Sequence, residues 1–173
     1  MIMAAGLGTR MRPLTDDRPK PLVTVAGRPL IDHALDRLAA AGVTMVVVNV
    51  HYRARMLRDH LAGRDDMRIV FSDESDALLD TGGGAVKALS VFAGEPFFIL
   101  NSDSIWTETG FSALARMQQA WNPAAMDALL LLALRAPALG YDGKGDFCKG
   151  DDGRLTRVPP NHVSPYAYPG VQI

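Results

Sequence analysis

Four cationic side chains and two glycines occur together near the start of the sequence. The glycines are Gly6 and Gly8, and the cations that follow within a few positions are Arg10, Arg12, Arg18 and Lys20. Glycine allows a positive φ and a close approach of the backbone to a ligand. Three prolines in the same segment forbid a regular helix. A rigid cationic loop with free backbone N–H groups is suited to binding a polyphosphate.

The glycine spacing alone does not identify the ligand. Gly6-x-Gly8 lacks the third glycine of the dinucleotide-binding fingerprint, because Met11 stands at that position. A P-loop is excluded too, because no Gly-Lys-Ser/Thr follows. A tight surface turn would use the same two glycines. On these residues a ligand-binding loop and a plain surface loop both stay open.

Two further segments contain residue types that suit a binding site. Asp103 follows an apolar run at 97–100, and ligands of open α/β sheets bind beyond the carboxyl ends of strands. A turn or helix-cap role is the alternative for a single aspartate. Gly82, Gly83 and Gly84 precede an apolar stretch at 85–92. Three glycines at a helix entry are entropically costly, so we expect either a backbone contact with a ligand or a tight entry to the helix.

These segments fall between elements of an alternating pattern. Buried or half-buried strands are predicted at 2–5, 45–50, 67–71, 97–100 and 129–134. Helices are predicted at 30–41, 54–61, 85–92 and 111–121, and a β-hairpin between Gly145 and Val158. Strands that alternate with helices predict an α/β fold, a Rossmann-like doubly wound mixed sheet with a hairpin insertion. The chain suits one domain, residues 1–173.

Composition excludes several classes of protein. The 173 residues carry a net charge of −1, which gives no reason to expect a nucleic-acid partner despite the basic cluster. Cys148 is the sole cysteine, so an internal disulfide and a cysteine metal cluster are excluded. The apolar run 128–134 is too short to span a membrane, and no basic segment of a signal peptide precedes residue 2. We therefore expect a cytoplasmic location.

The whole opening segment is more specific than its glycines. The string Ala4-Ala5-Gly6-x-Gly8-Thr9-Arg10-x-x-Pro13-Leu14-Thr15, followed by Pro19-Lys20-Pro21-Leu22, closely resembles the signature of the sugar-1-phosphate nucleotidyltransferases. The resemblance extends over essentially the whole chain. It implies attack of a sugar 1-phosphate on a nucleoside triphosphate, with release of pyrophosphate. It also implies that relatives continue past residue 173, with a second metal-binding aspartate there, and that the C-terminal part is missing here.

The resemblance assigns roles by position. The implied nucleotide-binding residues are Ala4, Ala5, Gly6, Gly8, Thr9, Arg10, Lys20, Gly82 and Gly83. Arg10 and Lys20 are the implied catalytic residues, and Asp103 would hold Mg²⁺. The implied sugar-phosphate side consists of Asn101, Gly145, Asp146 and Arg157. For Asp146 an exposed hairpin carboxylate is the alternative.

The substrates are implied less directly. Thr81-Gly82-Gly83-Gly84 is most similar to family members that transfer a uridylyl group to N-acetylmuramate 1-phosphate. The alternatives are guanylyl transfer to mannose 1-phosphate and thymidylyl or uridylyl transfer to glucose 1-phosphate. A non-catalytic regulatory homologue would be expected to lose Lys20 or Asp103, and both are present. A metal-dependent glycosyltransferase would need Asp-x-Asp, which Asp103-Ser104-Ile105 breaks.

Overall fold

A five-stranded sheet with helices on both faces forms the centre of the molecule. The computed structural model describes residues 1–108 and 110–173. The elements in chain order are β1 (Ile2–Met3), β2 (Thr24–Val25), β3 (Arg28–Pro29), α1 (Leu30–Ala40), β4 (Met45–Val50), α2 (Ala54–Leu61), β5 (Arg68–Asp73), α3 (Asp80–Phe92), β6 (Ile99–Asn101), α4 (Ala113–Ala120), β7 (Ala133–Leu134), β8 (Phe147–Lys149), β9 (Leu155–Arg157), β10 (Tyr166–Ala167) and β11 (Val171–Gln172).

The strand order of the central sheet is β11-β6-β1-β4-β5. Strand β1 pairs in parallel with both β4 and β6, and β4 pairs in parallel with β5 along its whole length. Strand β11 is antiparallel to β6, so the sheet is mixed. The predicted doubly wound mixed sheet is confirmed. Its parallel strands end at one common edge, which brings the segments that follow β1, β5 and β6 together.

Side chains alternate between the two faces of β4. Val46, Val48 and Val50 belong to a core shared with α1, α2 and α4, whereas Val47 packs on the opposite face with Ala88 and Phe92 of α3. This alternation follows from the period of two along a strand. The continuous apolar run predicted as a buried strand is therefore explained, because both of its faces are covered by helices.

Helix α1 begins and ends close to the predicted limits. Ile31, Leu35 and Leu38 are buried at the i, i+4, i+7 spacing that their sequence positions predicted, and Leu30 and Ala34 are buried beside them. Gly42 follows the helix with φ of +80°, which is the left-handed conformation expected one residue after the C-cap. The structure also confirms the predicted bounds of β4 and α2, Met45–Val50 and Ala54–Leu61.

Several predicted elements differ from the structure by one or two residues at their ends, and two need a larger correction. The strand expected over 129–134 is divided: backbone N–H groups of Leu129 and Leu131 bond to Ile173 and Val171 at 3.0 and 2.9 Å, and only Ala133–Leu134 forms a regular strand, with β10. The segment changes partners part-way, so one apolar run serves two sheets. Helix α3 begins at Asp80 rather than 85, so the three glycines lie in its first turns.

The predicted hairpin is present as β8 and β9, which pair antiparallel with Cys148 opposite Thr156. Gly153 in its turn has φ of +84°, the conformation that the glycine-aspartate turn favours. Among the helices of the described residues, none is both long and apolar enough to cross a membrane.

Acid should weaken the native state through Asp73, the last residue of β5. Hydrogen bonds from the side chain and backbone of Ser75, and then the Arg58 guanidinium, lower the Asp73 pKa from 3.8 to about 2. Because the pKa of Asp73 is lower in the folded state, its ionised carboxylate stabilises the fold above about pH 4, and this stabilisation is lost as pH falls toward 2. We expect the free energy of unfolding, measured by chemical denaturation, to fall less over this pH range in Asp73→Asn than in the wild type. The control Asp151→Asn, in the hairpin turn, should show the same fall as the wild type. Equal acid sensitivity in both variants would contradict this.

Candidate active site

A cleft of about 290 Å³ lies at the carboxyl edge of the sheet. Its walls come from the segments after β1 and β6, from the loop that carries Lys20, and from the start of α3. The residues that line it are Met3, Ala4, Ala5, Gly6, Arg10, Lys20, Pro21, Asn49, Glu74, Leu78, Asp80, Thr81, Asn101, Ser102 and Asp103. The position is the one at which parallel α/β sheets bind ligands.

A larger cavity of about 450 Å³ lies at the opposite edge, near Met1, Val43 and Phe97. Its lining within the described residues is mainly apolar and contains no lysine or arginine. It therefore lacks the cationic side chains, Arg10 and Lys20, that the smaller cavity offers to a phosphate, and the smaller cavity is the candidate active site.

The loop after β1 folds back on itself to place Lys20. Gly8 has φ of +67°, and a Cβ there would lie 3.0 Å from the Thr15 side chain and 3.1 Å from Cβ of Lys20. The Thr15 hydroxyl, which is buried, donates to the Gly8 carbonyl at 2.9 Å. Gly8 thus serves both the turn and close packing against Lys20. The Arg53 guanidinium donates to the Asp16 carbonyl at 2.7 Å and holds the outer end of the loop.

Lys20 and Asp103, separated by 83 residues in the sequence, form an ion pair in the cleft. Their side chains are 23% and 33% exposed, so both are accessible to a ligand while remaining partly desolvated. Lys20 is the first residue of a short 3₁₀ turn, Lys20–Leu22. Pro19 and Pro21 on either side of Lys20 limit the freedom of the backbone there. The pairing shows that the two residues assigned separately in the sequence face one another.

Asp103 is also a cleft carboxylate that is accessible to a metal ion. Within residues 1–108 and 110–173, no group of three or more His, Cys, Asp or Glu is arranged to hold a metal. Mg²⁺ is commonly bound by one or two carboxylates together with substrate phosphates and water. An accessible carboxylate such as Asp103 beside the cationic loop fits that type of site. The residues present therefore suit a metal that arrives with a phosphate ligand.

Asn101, at the end of β6, lines the cleft and is held by backbone contacts. Its N–H donates to the Gly170 carbonyl at 2.8 Å. Gly170 has φ of +75°, and a Cβ there would overlap the Asn101 carboxamide. A side chain at 170 is therefore incompatible with the observed position of Asn101.

Gly170→Ala should destabilise the protein by about 2 kcal/mol, because it adds both overpacking and a strained backbone. The matched control is Gly94→Ala, where φ is +85° but a Cβ would meet nothing within 4 Å. The control measures the cost of the backbone conformation alone. Chemical denaturation of both variants gives the comparison, and equal losses would show that contact with Asn101 contributes nothing.

The glycines of α3 lie in the helix, and the side of the cleft near them is formed by other residues. Leu78, Asp80 and Thr81 line the cleft there, and Asp80 has φ of +56°. A Cβ at Gly83 would lie 3.0 Å from Cβ of Leu79 rather than against a lining residue. The assignment of Gly82 and Gly83 to the nucleotide stays a prediction, and any effect of a methyl group at Gly83 would pass first through Leu79.

The predicted sugar-phosphate residues divide into two groups. Asn101 lies in the cleft, whereas Gly145, Asp146 and Arg157 belong to the segment around the hairpin and do not line the cleft in the described part of the chain. The Asp146 carboxylate accepts hydrogen bonds from the Tyr141 hydroxyl at 3.1 Å and from the Tyr168 backbone at 2.8 Å.

These contacts give Asp146 a structural role in the observed conformation. Burial and the hydrogen bond that its hydroxyl donates to Asp146 raise the pKa of Tyr141. Arg157 lies over the Phe147 ring, 4.9 Å from its centroid. The proposed contacts of Asp146 and Arg157 with a sugar phosphate remain untested predictions.

Sequence reasoning missed two buried polar residues, Asn49 and Glu74, which line the cleft and are 2% and 1% exposed. A signal for the first was present, because Asn49 is the polar residue in an otherwise apolar strand. Glu74 had no such signal, since it lies in a run of acidic and hydroxyl residues that is typical of an exposed loop.

A doubly wound sheet with Arg10, Lys20 and Asp103 in a cleft at its carboxyl edge is an arrangement suited to binding phosphate esters. The nucleotidyl transferase family model matches residues 1–141. The chain is 48% identical to the N-acetylmuramate alpha-1-phosphate uridylyltransferase of Caulobacter vibrioides, over 100% of this chain and 73% of the relative. The chain belongs to the nucleotidyl transferase family.

Other relatives define the wider group. A mannose-1-phosphate guanyltransferase of Gibberella zeae is 44% identical over 61% of this chain and 30% of its own length. A UDP-glucose pyrophosphorylase crystallised with UDP-glucose superposes with a TM-score of 0.77 at 18% identity, covering 99% of this chain and 73% of that one. This last similarity confirms the fold.

Proposed function

We propose that the protein transfers a uridylyl group from UTP to N-acetylmuramate 1-phosphate and releases pyrophosphate. The observation that carries the proposal is the meeting of Lys20 and Asp103 in a cleft at the carboxyl edge of the sheet. A cation for phosphate and a carboxylate for a divalent metal are the two groups that this reaction requires. The 48% identity to a uridylyltransferase over the whole chain supports the choice of substrates.

The attacking group explains why the site needs charge rather than a strong base. A sugar 1-phosphate arrives ionised, and one of its phosphate oxygens forms a bond to the α-phosphorus of UTP while the bond to pyrophosphate breaks. The protein must position two anions and neutralise their repulsion. Lys20 would lie between the α-phosphate and the incoming phosphate, and Arg10 would bind the departing pyrophosphate.

The loop and Asp103 supply the remaining functions. Backbone N–H groups between Gly6 and Arg10 would bind phosphate oxygens. Asp103 would hold Mg²⁺, which supplies Lewis-acid polarisation and orientation of phosphate oxygens when bound. Since Lys20 pairs with Asp103 in the free protein, we infer that Lys20 leaves the carboxylate when substrates and metal enter.

Guanylyl transfer to mannose 1-phosphate is the second candidate, favoured by the 44% identity to a guanyltransferase. That similarity covers 61% of the chain, against 100% for the uridylyltransferase. Discrimination between bases arises from buried polar groups that the wrong base leaves unpaired, and it amounts to about 1–3 kcal/mol per group. We therefore propose a preference for UTP over GTP and ATP.

We also infer that residues 1–173 act as one nucleotidyltransferase domain. Strand β11, near the end of the chain, pairs with β6 in the same sheet as β1. A boundary between these strands would divide the sheet itself.

A panel of the four nucleoside triphosphates against several sugar 1-phosphates tests the proposal, with pyrophosphate release as the readout. We expect the highest kcat/KM for UTP with N-acetylmuramate 1-phosphate. Faster turnover with GTP and mannose 1-phosphate would replace the proposed activity with the second candidate. Binding of nucleotide without turnover on any sugar would indicate a regulatory homologue.

A further inference from the structure

A buried polar pair, Asn49 and Glu74, connects two walls of the cleft. The Asn49 side-chain oxygen accepts the backbone N–H of Ala4 at 2.6 Å, and its nitrogen donates to Oε1 of Glu74 at 2.8 Å. The other carboxylate oxygen accepts the backbone N–H of Leu79 at 3.2 Å. We call this chain of hydrogen bonds the Asn49–Glu74 network. It joins the end of β1 to the segment that leads into α3.

Gly84 explains how α3 comes so close to this network. A Cβ at that position would lie 2.7 Å from Oε1 of Glu74 and 3.0 Å from Nδ2 of Asn49. The first of these distances is too short for a real side chain, and both neighbours are buried and held by hydrogen bonds. One glycine of the run is therefore required by a carboxylate of the protein itself, independently of any ligand.

A carboxylate suits this position for a specific reason. Both oxygens of Glu74 accept N–H donors, one from each wall, and an ionised carboxylate is an acceptor on both sides. An amide would have one acceptor oxygen and would leave one donor unpaired. An apolar side chain of similar size could fill the volume but could not join the walls.

We propose that Glu74 is a positioning residue that sets the separation of the nucleotide-facing walls, with Asn49 as its link to β1. This inference rests on the proposed function, because it takes the cleft as the nucleotide site. Ala4 lies on one wall, and Leu78 and Asp80, which flank Leu79, lie on the other. A change in their spacing would alter nucleotide binding while Lys20 and Asp103 stay in place.

The hydrogen bonds of the Asn49–Glu74 network run in a fixed order of donors and acceptors, so the network can be tested by exchanging the amide and the carboxylate between positions 49 and 74. Glu74→Gln removes one acceptor, and Asn49→Asp places two carboxylates in contact. The double variant Asn49→Asp/Glu74→Gln restores every pairing. In it, the carboxylate introduced at position 49 would accept from Ala4 and from the amide introduced at position 74, and the oxygen of that amide would accept from Leu79. A loss in each single variant followed by recovery in the double variant is the signature of the network.

Calorimetric titration with each of the four triphosphates, together with steady-state kinetics, measures the effect. We expect each single variant to bind UTP about 10-fold more weakly, with a higher KM and a kcat within about 3-fold of wild type. The double variant should return to within about 3-fold of wild-type affinity. Single variants that bind UTP normally but melt at lower temperature, or a double variant as weak as the singles, would overturn the proposal.

Hydrogen exchange in the free protein separates this inference from the proposed function. Amides of residues 77–81 should exchange faster in each single variant and recover protection in the double variant. If wild-type protein binds GTP instead of UTP, the proposed function fails, and the same comparison is made with GTP. If it binds none of the four, the proposed function fails, and unchanged exchange at 77–81 would overturn the positioning role as well.

Discussion

Lys20→Ala should lower kcat by at least about 10², because it removes a positioned ammonium from the phosphates in the transition state. The fold should persist, since the Lys20–Asp103 pair is partly exposed and pairs of this kind contribute about 1 kcal/mol or less. The metal requirement should not rise, because loss of Lys20 frees Asp103. Steady-state kinetics at several Mg²⁺ concentrations and a thermal melt measure all three effects.

The control for Lys20 is Lys149→Ala, which removes an exposed lysine of the hairpin away from the cleft-lining residues. This variant removes one positive charge from the protein, as Lys20→Ala does, so it controls for the change in net charge. If Lys20→Ala and Lys149→Ala had the same kinetics as wild type, the assignment of Lys20 to the reaction would be wrong.

Asp103→Asn should raise the Mg²⁺ concentration for half-maximal activity by about 10-fold or more and lower kcat as well. The substitution keeps the size of the side chain and removes its charge, so the site loses the carboxylate but little packing. Mn²⁺ binding in the presence of a non-hydrolysable UTP analogue, followed by electron paramagnetic resonance, gives a readout that does not depend on turnover.

Asp152→Asn provides the comparison for Asp103, because this exposed carboxylate lies in the hairpin turn beside Arg154. We expect its metal titration to overlay that of wild type. A structure with UTP analogue and metal in which Asp103 makes no contact with the ion would refute the assignment, whatever the kinetics.

The metal titrations of the Lys20 and Asp103 variants should therefore differ in direction. Both residues belong to one ion pair, but only Asp103 is proposed to hold the metal. Loss of activity with an unchanged or lower Mg²⁺ requirement identifies Lys20 as a phosphate-binding charge. Loss of activity with a raised requirement identifies Asp103 as the metal-binding residue.

Elements whose patterns are set by local burial were predictable from the sequence. Helix α1 and strand β4 have the expected limits because their apolar spacing reports directly on the faces they bury. The segment 129–134 was not predictable in the same way. The first part of this segment forms hydrogen bonds with Val171 and Ile173, and its last two residues pair with β10. An apolar run in the sequence contains no information about such a change of partner.

Some residues of the candidate site were predictable from the sequence, and others were not. Lys20 and Asp103 were found because the family resemblance assigns roles to them: a lysine between two prolines and an aspartate that follows an apolar run. Glu74 was missed because burial of a carboxylate depends on Asn49, Leu79 and Gly84 meeting in three dimensions. Likewise, the need for glycine at 84 was visible in the sequence, but its cause was not.

The fate of labelled oxygen tests the central claim most directly. The full chain is incubated with UTP, Mg²⁺ and N-acetylmuramate 1-phosphate that carries ¹⁸O at its non-bridging phosphate oxygens, and the products are analysed by mass spectrometry. Attack by the sugar phosphate on the α-phosphorus of UTP predicts a UDP-sugar that retains all of the label and pyrophosphate that contains none. Labelled pyrophosphate, or no UDP-sugar at all, would contradict the account.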